Sequence, residues 1–246
     1  MEGCSQYKPK FFFFITFLTL CLSAGCVQSG VTSSQLRSFA VKSSEPRPQL
    51  VDPSATPSPI LPLPYLSVVQ KYSKDYGVDW TLVLAMMKQE SRFNHRAVSR
   101  RGAYGLMQLM PETQIEISGK LGFHDFTRPK NNIRAGIFHL KGLFESFSEA
   151  SESDRVRLVL AAYNAGLGRV NDAQGLVRRL GGNPNNWSDV RTALTMLSPR
   201  YATLHKTFWN GQPPTAGYFR DWKQTLQYVD AVVRYQERFD LAEMRI

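Results

Sequence analysis

The 246-residue chain has little cysteine, and what it has is confined to one end: Cys4, Cys21 and Cys26, with none beyond. That excludes a disulfide-stapled fold or a cysteine-based zinc site anywhere after position 26. The histidines, His95, His124, His139 and His205, show no metal-ligand spacing, so no metal or cofactor is expected and surface or interface positions are. Acidic residues are also scarce, 20 against 30 basic, for a net charge of +10. No internal repeat and no convincing alternating strand pattern is apparent. What remains is 43% hydrophobic and 12% aromatic, a composition that supports a real core and excludes the disordered class.

The only long apolar run, Phe11 to Leu22, follows Lys8 and Lys10 and leads into Ser23-Ala24-Gly25-Cys26. Basic, apolar, then small residues is the layout of an export signal, and the run falls short of the roughly 20 residues of a membrane span. An uncleaved anchor is the alternative. Leu22 to Cys26 resembles a bacterial lipobox, with Ser23 where Leu is usual, so residues 1–25 read as a lipoprotein-type signal and Cys26 as the lipidated new N-terminus. Ordinary signal-peptidase cleavage after Gly25 fits as well. Residues 26–64 are rich in Ser, Thr, Gln and Pro and read as an extended tether.

Residues 65–246 have a one-domain length. They read as mainly α. Tyr65 to Tyr76 carries an apolar stripe that stops at Gly77, and Asp79 makes an N-cap for a helix over Trp80 to Phe93. A helix from Asn132 places Ile133, Ile137, Leu140, Phe144 and Phe147 on one face. Ser153 is expected to cap the next, which ends at Gly166, and a long helix is expected over Tyr218 to Phe239. Most of the basic excess falls in this part. An exported protein rarely meets nucleic acid, so an anionic wall polymer or lipid headgroups are the expected partners, with plain solvated charge as the alternative.

Glu90 is conspicuous. Val83, Met86 and Met87 lie seven, four and three positions before it, so its carboxylate stands on an apolar helix stripe, in the last turn, where the helix dipole disfavours an anion. Desolvation and dipole both raise its pKa, as a general acid near neutral pH requires. On this helix alone, a Glu snorkelling to the surface beside Lys88 and Arg92 is the favoured reading.

Three other stretches are unusual. Gly105-Leu106-Met107-Gln108 lies in a glycine-flanked turn before Pro111, which can start a helix. Ala162-Tyr163-Asn164-Ala165-Gly166 ends a buried helix with polar and small residues, and Tyr228-Val229 sits on the last helix. With Glu90-Ser91, in this order, they resemble the motifs of the soluble lytic transglycosylase family, over about residues 65 to 239. Asn132-Ile133 with Gly136 and Leu140 looks like a helix of the same family. Further on, Gly166 to Gln174 and Gly182 to Val190 resemble the catalytic module of the membrane-bound lytic murein transglycosylase F type. Proteins of that type usually carry a solute-binding-like domain before the module, where this sequence has signal and tether.

The resemblance implies a lysozyme-like helical domain at 65–246. It implies cleavage of the β-1,4 bond between N-acetylmuramic acid and N-acetylglucosamine in peptidoglycan glycan strands, leaving 1,6-anhydromuramyl ends. Glu90 would be the catalytic acid and then base. Ser91, Met107, Gln108, Tyr163, Asn164 and Tyr228 would bind substrate or support Glu90, Met107 and Gln108 by lining a glycan groove. Gln224 stands where the family often has Glu, four residues before Tyr228, and is expected to support rather than catalyse. The implied location is the periplasmic face of a membrane in the bacterial envelope, through an outer-membrane lipid anchor. No carboxylate accompanies Glu90 in the motifs, and Glu112 and Glu116 are expected to be exposed without a part in the site. Trp187, Tyr201, Trp209 and Tyr218 would give either a sugar-stacking wall or core packing. Two alternatives remain: a hydrolytic muramidase of the same fold, and a non-catalytic wall-binding lipoprotein.

Overall fold

The computed structural model describes residues 65–243; the signal segment, Cys26 and the tether lie outside the described residues. Among the described residues there is no strand, only isolated bridges of Tyr104 with Val98 and with Leu109. The helices are α1 (Leu66–Tyr76), α2 (Trp80–Ser91), α3 (Pro111–Leu121), α4 (Pro129–Ser146), α5 (Glu152–Ala165), α6 (Leu167–Arg179), α7 (Trp187–Met196), α8 (Ala202–Phe208) and α9 (Trp222–Glu243). A 3-10 turn, Pro199–Tyr201, leads into α8. No described helix is long and apolar enough to cross a membrane.

The core is built around α2. Every residue from Thr81 to Met87 is buried, as its all-round apolar sequence requires. Each of Leu82, Val83, Leu84, Met86 and Met87 contributes about 1.5–3 kcal/mol by leaving water. Helices α1 and α9 pack against α2, α9 also packs on α5, and α4 joins α1 to α5. Helices α6 and α7 pack on each other beside α5.

The ends of α2 explain where Glu90 sits. The Asp79 carboxylate accepts from the Thr81 amide and hydroxyl, each at 2.8 Å, and so starts the helix. Arg92 (φ 51°) and Phe93 (φ 64°) are both left-handed, and the helix stops at Ser91, two residues before the expected end. Two adjacent non-glycine residues in this region cost roughly 1 kcal/mol or more each. The turn therefore depends on the packing around it.

Other boundaries shift for identifiable reasons. Helix α5 is capped by Ser151 rather than Ser153, because the Ser151 hydroxyl reaches the Asp154 amide. Helix α4 begins at Pro129, which needs no amide partner in a first turn. Helix α9 starts at Trp222, later than Tyr218, because Asp172 on α6 accepts from the Ala216 amide at 2.7 Å and holds that approach as a loop.

Candidate active site

The motif turn is held from two sides through the backbone of Met107. Asn132 on α4, 1% exposed, accepts from the Met107 amide at 2.9 Å and donates to the Tyr104 carbonyl at 3.0 Å. Tyr163 on α5 donates its hydroxyl to the Met107 carbonyl at 2.6 Å. A Cβ on Gly105 would sit 2.5 Å from the Asn132 amide, so glycine is required there both for space and for its φ of 80°. Gln108, itself left-handed at φ 45°, donates from Nε2 to the carbonyls of Ala97 and Gly105. Its nitrogen is thereby committed to the turn, and only the side-chain oxygen remains to accept.

Two side-chain bonds tie α9 into the same region. Thr225 donates to Asn164 Oδ1 at 2.7 Å, and Tyr228 donates to Glu90 Oε1 at 2.7 Å. Glu90 faces an open cleft of about 810 Å³ whose lining includes Gln108, Tyr163, Asn164 and Gln224. Burial pushes the Glu90 carboxyl up to about 7, and the Tyr228 hydrogen bond pulls the other way. Burial and the neighbouring Glu90 charge raise the Tyr163 and Tyr228 phenols well above their ordinary range, so both remain neutral donors.

Several expected site residues lie outside the cleft lining. The Met107 side chain does not line the cleft: it is fully buried, and a Cβ on Gly136 would meet it at 2.6 Å. Ser91 is buried and donates to the Met87 carbonyl one turn back, so it makes no bond to Glu90. Tyr228 is buried and reaches Glu90 from the core side, outside the cleft lining. Trp187 is a core residue, while Trp209 stacks edge-on with the 1%-exposed His205. His205 is thus no surface histidine; its Nε2 bonds the Met196 carbonyl.

His139 and Glu116, both lining the cleft, escaped the sequence reading. His139 lies against the Tyr163 ring at 5.4 Å, with burial holding its imidazole below the usual range. Glu116 lines the cleft as well, exposed and paired with Lys120 at 2.7 Å, which lowers its carboxyl. The helix spacing of Glu116 and Lys120 was visible, but the α3–α4 packing that turns both toward His139 was not. Asn132, outside the cleft lining, did carry a signal, in the resemblance of Asn132-Ile133 with Gly136 and Leu140 to a helix of the family.

Residues 67–186 match the transglycosylase SLT domain family. The chain is similar to the membrane-bound lytic murein transglycosylase F of Alcanivorax borkumensis, 39% identical over 144 residues, covering 58% of this chain and 30% of that protein. It is also similar to the protein of the same name from Alteromonas mediterranea, 36% identical over 174 residues, covering 70% and 34%. The chain spans about a third of the length of these curated relatives. The structure of the 70-kDa soluble lytic transglycosylase in complex with bulgecin A aligns over 73% of this chain and 24% of that one, at 24% identity and a TM-score of 0.50. The described residues are mainly α and share the fold of that structure. Tyr228 and the rest of α9 lie beyond the matched 67–186, yet α9 supplies the hydrogen bond to Glu90.

Proposed function

We propose that this chain is a peptidoglycan lytic transglycosylase that cuts the β-1,4 bond from N-acetylmuramic acid to N-acetylglucosamine and closes a 1,6-anhydro ring. The observation that carries the reading is the Glu90 carboxyl, raised to about 7 by burial, facing a large cleft and held from behind by Tyr228. Such a group is protonated in a substantial fraction of molecules at neutral pH and ionises readily once the proton is used.

In the proposed reaction Glu90 gives its proton to the glycosidic oxygen, and the bond from that oxygen to the muramyl C1 breaks. The substrate's acetamido oxygen stabilises the positive charge at C1, a recognised alternative to a second carboxylate. Glu90, now ionised, takes the proton of the muramyl C6 hydroxyl as O6 bonds to C1. The acid is thereby restored without water. Tyr228 steadies the ionised stage, since its hydrogen bond favours the carboxylate. Tyr163, Asn164, Gln108 and Gln224 would position the glycan, and Ser91 and Met107 would support the site through the backbone of α2 and of the motif turn.

One observation favours the hydrolytic alternative. Glu116 supplies the cleft with a second, readily ionised carboxylate that could activate water. Under the transglycosylase reading, Glu116→Gln retains anhydro products; loss of turnover with Glu90 intact would favour hydrolysis.

The proposed organisation is a signal over 1–25, a tether over 26–64 and the catalytic unit over 65–246. Lipidated Cys26 would hold the enzyme on the periplasmic face of the envelope, at the outer membrane. The names of the curated relatives, membrane-bound murein enzymes, support an envelope location. Mass spectrometry of the mature N-terminus tests the anchor: an unmodified Cys26 or Val27 contradicts it. The catalytic reading is tested with Glu90→Gln. Cleavage of purified sacculi should disappear while the circular dichroism spectrum is unchanged. Retained cleavage by a folded variant overturns the assignment, and a wild-type chain that sediments with sacculi without cutting them points to the binding lipoprotein.

A further inference from the structure

Beside the main cleft lies a smaller recess of about 180 Å³. The two share Arg101, Asn164, Ala165, Arg169 and Gln224 in their linings, so the recess is a side chamber of the groove. Three guanidinium groups line it, Arg101, Arg169 and Arg220, with Asp221 as its one carboxylate. Among the described residues none of the three arginines is in an ion pair.

Arg169 is the most constrained of them. Its Nη1 donates to the Ala165 carbonyl at 2.8 Å, and its guanidinium lies over the Phe219 ring, 5.2 Å from the centroid. These two contacts fix the plane of the fork. The Nε donor is buried and has no partner among the described residues. A pre-oriented guanidinium is suited to a planar anion, and a carboxylate met by its Nη edge is such an anion. Arg220 lies on the loop from Ala216 to Asp221, which the buried Asp172 anchors through the Ala216 amide. Asn164 and Gln224 add amides that can hydrogen-bond a carboxylate or the amide bond next to it.

We infer that this side chamber binds a carboxylate carried by the muramyl residue, so that the enzyme reads the acidic substituents of the strand as well as its sugars. The inference rests on the reading of the main cleft as a glycan groove. Two substrate groups have this chemistry, the carboxylates of the stem peptide and the lactyl carboxylate of a strand stripped of its stems.

The test compares three substrates at subsaturating concentration: strands with native stems, the same strands with their carboxyl groups amidated, and strands stripped of stems by an amidase. Since hydrogen bonds to a charged group are the strong ones, wild type should cut native strands roughly tenfold faster than amidated ones. In native and amidated strands alike the lactyl carboxyl is tied up in the amide bond to the stem, so the native-to-amidated ratio reads the stem carboxylates alone. Stripped strands cut like native ones show that the freed lactyl carboxylate also fills the chamber, stripped strands cut like amidated ones identify the stem, and stripped strands cut faster than both identify the lactyl carboxylate. Arg220→Gln should bring the native-to-amidated ratio toward one by slowing cleavage of the native strand. Arg169→Lys, which keeps the charge but loses the fork, should do so in part.

A wild-type ratio near one with stripped strands cut no faster overturns the inference, and so does a ratio that survives Arg220→Gln. A merely structural role for the arginines would lower both rates in parallel and leave the ratio. Failure of the enzymatic reading is separable, because wild type would then cut none of the three. In that case calorimetric titration of the Glu90→Gln chain with native and amidated strand fragments still decides the matter: roughly tenfold tighter binding of the native fragments supports the chamber, and equal affinities overturn it.

Discussion

At the residue scale, the behaviour of Glu90 follows from its being a carboxyl that folding removes from water. Its pKa in the folded chain is about 7, above the usual 4.5, so the folded chain keeps a proton that the unfolded chain has released. Stability therefore falls as pH rises from about 4.5 to about 7, by an amount on the order of 3 kcal/mol. Glu90→Gln removes this cost. Urea titrations should show the variant stabilised relative to wild type at pH 8 and little changed at pH 4; a pH-independent difference would count against the buried carboxyl. Activity makes the complementary prediction. The proposed reaction needs protonated Glu90, so kcat/KM should decline above about pH 7. Tyr228→Phe deletes the bond that favours the ionised form, so the alkaline limb should move to higher pH while kcat falls roughly tenfold. A pH profile indistinguishable from wild type would show that Tyr228 does not act on Glu90. The helix stripe under Glu90 was legible in the sequence. That Tyr228 approaches from the core rather than from the cleft was not, because 138 residues separate the pair.

At the element scale, the motif turn and α4 behave as one unit. Asn132 bonds two backbone groups of that turn; Asn132→Ala leaves the buried Met107 amide without a partner, while the Tyr104 carbonyl keeps its bond from the Leu109 amide. A loss of about 1–3 kcal/mol in urea unfolding is expected, the cost of one orphaned buried amide. Gly136→Ala drives a methyl into Met107 and should cost about 1–3 kcal/mol, relieved in a Met107→Ala background. Additive losses would mean the two do not touch. Helix types were read correctly wherever apolar periodicity was sustained, as in α1, α2 and α4. The misplaced ends have local causes that composition does not encode: a choice between Ser151 and Ser153, and two left-handed residues, Arg92 and Phe93, at the end of α2. Met107 was misjudged because a residue inside a motif can serve it through backbone alone.

At the scale of the whole described chain, the site depends on packing between distant segments. Helix α9 lies against α2 and α5 and buries Leu226, Val229 and Val232. A chain ending at Arg220 would expose the apolar faces of α2 and α5, and should lose its cooperative thermal transition; a sharp transition would show that α9 is an appendage. The order of the motifs was legible from the sequence, and so was the mainly α architecture. The side chamber and the cleft faces of Glu116 and His139 were not, since each is created where helices from separate parts of the chain meet. All of these features converge on one claim, that Glu90 works alone and closes the ring without water. Mass analysis of the glycan fragments released by the purified chain tests it most directly. Fragments ending in 1,6-anhydromuramic acid are predicted, and reducing ends heavier by one water would contradict the account.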